Sequence, residues 1–327
     1  MSDFSPWTPL HATLHRTLKV RHLLPKDRLL LVAVSGGQDS LCLIKLLLDL
    51  QPKWGWMLGI AHCNHRWRTD SEANALHVEN LANAWSIPYY GAITDRSLPS
   101  EAAARKWRYE ALSDIALAHD YQYIVTGHTS SDRAETLLYN LIRGSGADGL
   151  QALSWQRRLD SGLQLIRPLL QITRAATAQF CQATKLPVWE DSTNLDLKYA
   201  RNRIRHELLP YLQSFNPQVE TSLAQTAELL HCEVEYLELT AQQLYAQARH
   251  PHERLKLNCQ VLQASPLALQ RRVLRQLLFQ ALNRSPNFEQ IEKLIALIFA
   301  PNKAQTDPFP GGEVAKVENG WISLIPP

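Results

Sequence analysis

From residue 29 the chain runs through an unbroken apolar stretch rich in Leu and Val, then stops abruptly at Ser35-Gly36-Gly37. A second apolar stretch, 41–50, begins directly behind Gln38-Asp39-Ser40. A short apolar run, a glycine turn and a longer apolar run read as a buried strand, a tight turn and a helix. The alternation continues, and it predicts strands over 29–34, 56–62, 89–93 and 123–127 and helices over 39–50, 71–85, 101–119 and 132–143. Repeated βα units imply an α/β fold, a doubly wound, mostly parallel sheet with helices on both faces. Ligands of such sheets sit at the carboxyl ends of the strands. Three of those ends are polar here: Ser35-Gly36-Gly37, His62-Cys63-Asn64-His65 and Thr126-Gly127-His128.

Past about residue 211 the pattern changes. Asn216-Pro217 breaks the chain, and 219–249 then reads as one long helix, followed by helices over 271–282 and 288–299. Two short alternating runs around Asn319-Gly320 are a hairpin signal. The expected organisation is a first domain over 1–211 and a smaller, mainly helical domain over 212–327 that ends in a β-hairpin.

Composition narrows the class. A chain of 327 residues with 45% hydrophobic positions suits a globular protein of one large or two ordinary domains. No apolar run reaches the ~20 residues of a membrane span, and residues 1–9 lack the look of a secretory signal. The five cysteines are scattered and odd in number, with no C-x-x-C pair, which argues for a reducing, cytoplasmic setting without disulfides or structural zinc. A net charge of +3 permits a nucleic-acid partner without demanding one.

The chemistry begins at the glycine turn. Such a turn aims backbone N–H groups and the positive end of a helix at one spot, which suits phosphate. Gly36 and Gly37 let the backbone approach a ligand, Ser35 and Ser40 add hydroxyls, and Asp39 adds a carboxylate able to hold a metal ion. The turn has neither the Gly-Lys-Ser/Thr ending of a Walker A loop nor the G-x-G-x-x-G dinucleotide pattern. Arg105 and Arg108 share a helix face, which is either solvated or turned, through Arg108, toward the nucleotide crevice. Asp132 and Glu135 stand three apart at a helix start. They can cap that helix, hold a metal or position an attacking amine. Arg201, Arg203 and Arg205, with Asn202 between them, suit phosphate and base-edge contacts, or form a charged helix start.

The segments follow one order: Ser-Gly-Gly-x-Asp-Ser, Ala-His-x-Asn-His, Glu-Ala-Ala-Ala-Arg with Arg-Tyr, Thr-Gly-His with Asp and Ala-Glu-Thr, Arg-Gly, Arg167-Pro168-Leu169, Glu190-Asp191 with Asn194 and Asp196, and Arg-Asn-Arg. Over about residues 28–211 this resembles the tRNA(Ile)-lysidine synthetase family, a group of N-type ATP pyrophosphatases in the PP-loop superfamily. The resemblance implies a Rossmann-like PP-loop domain and a two-step reaction. ATP adenylates the 2-carbonyl oxygen of the wobble cytidine in a tRNA(Ile) with a CAU anticodon, and pyrophosphate leaves. The ε-amine of free L-lysine then displaces AMP, and the codon read changes from AUG to AUA.

The resemblance also implies roles. ATP binding falls to Ser35, Gly36, Gly37, Gln38, Asp39, Ser40, His62 and His128, and Mg2+ to Asp39. Catalysis falls to Asp39, Arg108, Asp132 and Glu135, and tRNA binding to Arg201, Asn202, Arg203 and Arg205. The helical region, with Arg271, Arg272 and Arg275, takes a tRNA role by analogy. A homodimer is allowed, and no membrane partner is expected. Two positions depart from the family pattern: Thr129 stands where a second histidine is usual and Ser131 where a first aspartate is usual. The chain resembles the shorter form of the family. A cytidine thiolase would show C-x-x-C pairs, and an amidotransferase-linked synthetase would need a glutaminase domain. A tRNA-binding protein with an inactive ATP site is the alternative of another class. Pyrophosphate release that needs both lysine and a CAU-anticodon tRNA separates it from the enzyme.

Overall fold

The computed structural model describes residues 7–66, 69–95, 99–190 and 196–325. The chain forms two compact units, Met1–His231 and Cys232–Pro327. Among the described residues no helix is long and apolar enough to cross a membrane.

The first unit opens with α1 (Pro9–Val20), then alternates β1 (Leu29–Ala33), α2 (Gln38–Trp54), β2 (Met57–Asn64), α3 (Ser71–Ala84), β3 (Tyr89–Ile93), α4 (Glu101–Ala118), β4 (Tyr123–Thr126) and α5 (Ser130–Ile142). The short α6 (Ala147–Leu150), β5 (Gln156–Arg158), β6 (Gln164–Ile166) and α7 (Arg174–Ala183) follow. The sheet order is β3-β2-β1-β4-β6-β5, parallel throughout except for β5, which pairs antiparallel with β6 at the edge. β1 is central because its side chains are apolar on both faces: Leu30, Leu31 and Val32 are all fully buried. α2 covers one face with Leu41, Leu43, Ile44, Leu46, Leu47 and Leu50, and α4 lays Leu112 and Ala116 on the other.

The chain leaves β1 toward β2 on one side and later returns to β4 on the other. Strand order therefore reverses between β1 and β4, and a crevice opens beyond their carboxyl ends. The two lips of that crevice are 35–37 and 127–129. All four predicted strands and the four helices between them are present, with ends shifted by a few residues.

After α7 come α8 (Ala200–Arg203), a π-helical turn (Ile204–Leu208), α9 (Leu209–Gln213) and the 30-residue α10 (Val219–Ala248). The two compact units divide inside α10, after His231, downstream of the change in sequence pattern near residue 212. The start of α10 is tied to the first unit: Arg133 and the Trp155 indole donate to Glu228 at 2.7 and 2.8 Å, and His231 meets Gln151 at 2.7 Å.

The second unit holds β7 (Lys256–Asn258), α11 (Cys259–Gln263), α12 (Leu267–Leu282), α13 (Phe288–Ile298) and the hairpin β8 (Val314–Glu318) and β9 (Trp321–Ile325). Its antiparallel sheet has the order β7-β9-β8. Val273, Leu274, Leu277 and Leu278 bury one face of α12 with Leu294 and Ile322. Asn319 and Gly320 both take positive φ, 51° and 80°, as a two-residue hairpin turn requires. The arginines of α12 are paired within this unit, Arg271 with Glu292 at 2.7 Å and Arg272 and Arg275 each with Glu238 at 3.0 Å.

Candidate active site

The first lip is the turn Ser35–Ser40. Gly36 takes φ +87°, and a Cβ there would stand 2.5 Å from Asn74 Oδ1. Glycine is required on both counts. Asn74 donates to the Ser35 carbonyl at 3.1 Å, and the Trp189 N–H donates to Gly36 O at 2.9 Å. Ser40 Oγ–H donates to Gly37 O at 2.8 Å and accepts the Ser35 N–H at 3.1 Å. The turn is thus held from both sides. Gly37 starts α2 without a side-chain cap. The first-turn N–H groups have no intrahelical acceptor, so they point into the crevice as anion donors.

Asp39 lies in that first turn. One oxygen accepts the Thr177 hydroxyl and the other accepts Arg174 Nε at 3.2 Å. Burial raises its carboxyl above the ordinary range, against the pull of Arg174 and Thr177. Among the described residues no group of three His, Cys, Asp or Glu side chains is poised to hold a metal. One carboxylate at a phosphate turn still fits Mg2+, which is commonly held by one or two carboxylates plus substrate phosphates.

The second lip leads from β4 into α5. Gly127 lies so close that a Cβ there would stand 2.8 Å from Asp39 O. Thr129 is the N-cap of α5: its N–H and hydroxyl donate to Asp132 Oδ2 at 2.7 and 2.9 Å. Asp132 is therefore a cap, but only with one oxygen. The other accepts Arg174 Nη2 at 2.8 Å. Burial opposes the Asp132 charge, yet Arg174 and the hydrogen bonds from Thr129 outweigh it and hold the carboxyl below its ordinary value. Glu135, one turn on, is only 3% exposed and accepts Arg174 at 2.8 Å and Arg205 at 2.7 and 2.9 Å.

Arg174 thus binds Asp39, Asp132 and Glu135 together, from the first residue of α7. Burial works against its charge, but the three carboxylates raise its pKa above the ordinary value. Sequence reasoning did not single it out. The available signal was Thr173, whose hydroxyl accepts the Ala176 N–H at 3.2 Å and so starts a helix at the crevice.

The basic segment is divided. Arg205 turns inward onto Glu135, and Asn202 is buried with its amide on Asp196 O at 2.9 Å. These contacts belong to the interior, and they are at odds with a pure tRNA-facing role for the two residues. Arg203 projects outward with 65% exposure, and Arg201 lies 3.6 Å from Glu101. His62 is buried at the end of β2 and meets Val34 O at 2.8 Å, which braces the neighbouring strand. It also lines a cavity of about 300 Å3 with Asn64, Glu72, Glu79 and Tyr89. Arg108 is exposed and meets His65 at 2.8 Å beside that strand end. His128 meets Thr126 Oγ1 at 2.9 Å. Asp191 and Asn194 lie outside the described residues.

Residues 10–212 match the PP-loop domain family, and residues 257–317 match the TilS substrate binding domain. A tRNA(Ile)-lysidine synthase of Nostoc sp. is 65% identical over 97% of both chains. The chain belongs to the tRNA(Ile)-lysidine synthase family. Another member, from Synechocystis sp., is 51% identical over 98% of both chains, and a chloroplastic one from Zygnema circumcarinatum is 38% identical over 89% of this chain and 80% of that one. Among solved structures, the U34-tRNA thiolase NcsA from Methanococcus maripaludis superposes with a TM-score of 0.58 at 16% identity, over 68% of this chain and 80% of that one. At that identity the likeness shows the shared PP-loop fold alone. Within the family, the two departures have structural counterparts here: Thr129 caps α5, and Ser131 donates its hydroxyl to Glu220 of α10.

Proposed function

We propose that the chain makes lysidine in tRNA(Ile). The 2-carbonyl oxygen of the wobble cytidine attacks the α-phosphorus of ATP, forming the O-adenylyl base and releasing pyrophosphate. The ε-amine of free lysine then attacks C2, AMP departs with the oxygen, and the amine gives up its protons. The product reads AUA where the parent read AUG.

In this reading Ser35, Gly36, Gly37, Gln38 and Ser40 hold the phosphates through backbone N–H groups and hydroxyls. Asp39 would hold Mg2+ on the phosphates, where the ion supplies charge neutralisation. Arg174 already lies on Asp39, so it shares the negative charge that develops as pyrophosphate leaves. Asp132 and Glu135 serve the incoming amine, and Arg205 fixes Glu135. His62 and His128 bound the nucleotide side, and Arg108 approaches from α4. Arg201 and Arg203 meet tRNA phosphate. The catalytic part is residues 1–211, and the helical part from 212 onward carries tRNA, a reading favoured by the match of 257–317 to a substrate binding domain.

The observation that carries this reading is the meeting of the glycine turn after β1 and the acid pair after β4 across one guanidinium. Adenylation and amine attack can then use one crevice. The test is to incubate the protein with ATP, Mg2+, lysine and CAU-anticodon tRNA(Ile), then weigh the wobble nucleoside. It should gain one lysine less one water, with one pyrophosphate and one AMP released per base. An unmodified nucleoside, or pyrophosphate release that needs no tRNA, would refute the reading.

A further inference from the structure

Beside Arg174 lies a cavity of about 240 Å3, lined among others by Ser131, Glu135, Arg174, Arg205, Gln213 and Glu220. Its charges are unevenly matched. Glu135 is saturated by two arginines, and Arg174 is shared by three carboxylates. Glu220, in the first turn of α10, is half-buried. Among the described residues no arginine, lysine or histidine forms an ion pair with it, and its hydrogen-bond partner is the Ser131 hydroxyl. That hydroxyl is fixed in turn, because its oxygen accepts the Arg174 backbone N–H at 2.9 Å. The cavity thus presents a carboxylate that has a neutral donor and lacks a cation, beside two guanidiniums. An α-amino acid carries the complement, an ammonium and a carboxylate on one carbon.

We propose that Glu220, oriented by Ser131, binds the α-ammonium of the amino-acid substrate. The α-ammonium is assigned, and not the ε-group, on chemical grounds. The attacking ε-amine must give up its proton, a step already served by Asp132 and Glu135, whereas the α-ammonium stays charged throughout the reaction and suits a carboxylate that has no other cation. The substrate carboxylate is left for Arg174 or Arg205. This rests on the lysidine-forming reading above. It also accounts for Ser131: where the family pattern has an aspartate, this chain has a hydroxyl that holds a glutamate from another helix. Ser131 is a positioning residue, since it acts through Glu220.

The test compares lysine with 6-aminohexanoate, which keeps the carboxylate and the distal amine and lacks the α-ammonium. The parent protein should use lysine with the lower KM. Glu220→Gln keeps the shape and removes the charge. It should raise the KM for lysine by roughly 10-fold or more, the scale of a hydrogen bond to a charged group. Its KM for 6-aminohexanoate, its KM for ATP and its kcat at saturating lysine should stay within about twofold. Ser131→Ala should move the lysine KM the same way by less, and Ser131→Asp in the Glu220→Gln background should recover part of it. An unchanged lysine KM in a folded Glu220→Gln, or an equal rise for both amines, overturns the assignment. If the parent forms no lysidine at all, the underlying reading fails instead.

Discussion

Arg174 Nε lies 3.2 Å from Asp39 Oδ2, so helix α7 and the phosphate turn share an ion pair across the crevice. The same guanidinium reaches Asp132 and Glu135 at 2.8 Å each. Removing it would leave three neighbouring carboxylates without their common cation. Arg174→Met should cost roughly 3–5 kcal/mol at neutral pH, as for other broken buried pairs. The loss should shrink on acidification as the carboxylates take up protons. Thermal unfolding of parent and variant at pH 8 and pH 5 checks this, and equal melting temperatures at both pH values would disprove it.

Asp39 and Glu135 should fail in different half-reactions. Asp39→Asn should keep the fold, since Thr177 can still donate to the amide oxygen, and should lower pyrophosphate release by roughly 100-fold or more. Glu135→Gln should release pyrophosphate at close to the parent rate in a single turnover but form lysidine roughly 100-fold more slowly, since its carboxylate acts on the amine step. Asp132→Asn separates capping from chemistry: a cap alone predicts a loss of about 1 kcal/mol with activity retained. Quenched single-turnover assays that follow pyrophosphate and lysidine together decide the matter. Normal turnover by both folded acid variants at low lysine would leave capping as the role of Asp132 and ion pairing with Arg174 and Arg205 as the role of Glu135.

The three arginines of the basic segment should not behave alike. Alanine at Arg201 and Arg203 should weaken tRNA binding and lower the slope of log affinity against log salt by about 1–2. ATP binding without tRNA should barely move. Arg205→Ala should instead damage turnover, because it strips a bidentate partner from Glu135. Filter binding over a salt series, next to kcat for each variant, distinguishes them. An ATP affinity that collapses in the Arg201 and Arg203 variants would place those residues in the nucleotide pocket.

His128 should impose an acid limb on stability. Burial, aided by the charges of Arg167, Arg105 and Arg108 and opposed by Asp132, pushes its imidazole down from 6.5 to about 3. Above pH 7 the ring is neutral in folded and unfolded chains and contributes nothing. Below about 6.5 the unfolded chain binds a proton that the folded one refuses, so stability falls by up to about 1.4 kcal/mol per pH unit until pH nears 3. His128→Asn removes this titration. Between pH 7 and 5 the variant should lose less in denaturant midpoint than the parent, and parallel curves would count against the assignment.

The legible parts of the chain were those with a strong local period. The strand over 89–93 matches β3 residue for residue, and the glycine turn stood out because Gly36 and Gly37 follow an apolar run almost at once and precede another. Strands β5 and β6 have three residues each, too few to leave a period, so the path from β4 to α7 was invisible and Arg174 with it. The arginines at 201, 203 and 205 alternate in sequence, and alternation suggests one face only in a strand. On a helix, neighbours two apart point about 200° apart. Arg203 is accordingly 65% exposed, while Arg201 and Arg205, four apart, are 33% and 23% exposed, and of these Arg205 turns onto buried Glu135. Glu220 could not be linked to Ser131 from sequence, since 89 residues separate them.

Gly127 sets a tolerance on the whole crevice. Where its side chain would be, the main chain of Asp39 and Ser40 already stands, within 2.8 to 3.1 Å. The two lips are therefore spaced by peptide units, which do not change rotamer, and not by side chains, which do. In a reaction that makes an activated base and then consumes it, a fixed gap of this kind means that no hand-over is required. In the lysidine-forming reading proposed above, the adenylate can stay where it forms, and only the amine has to arrive.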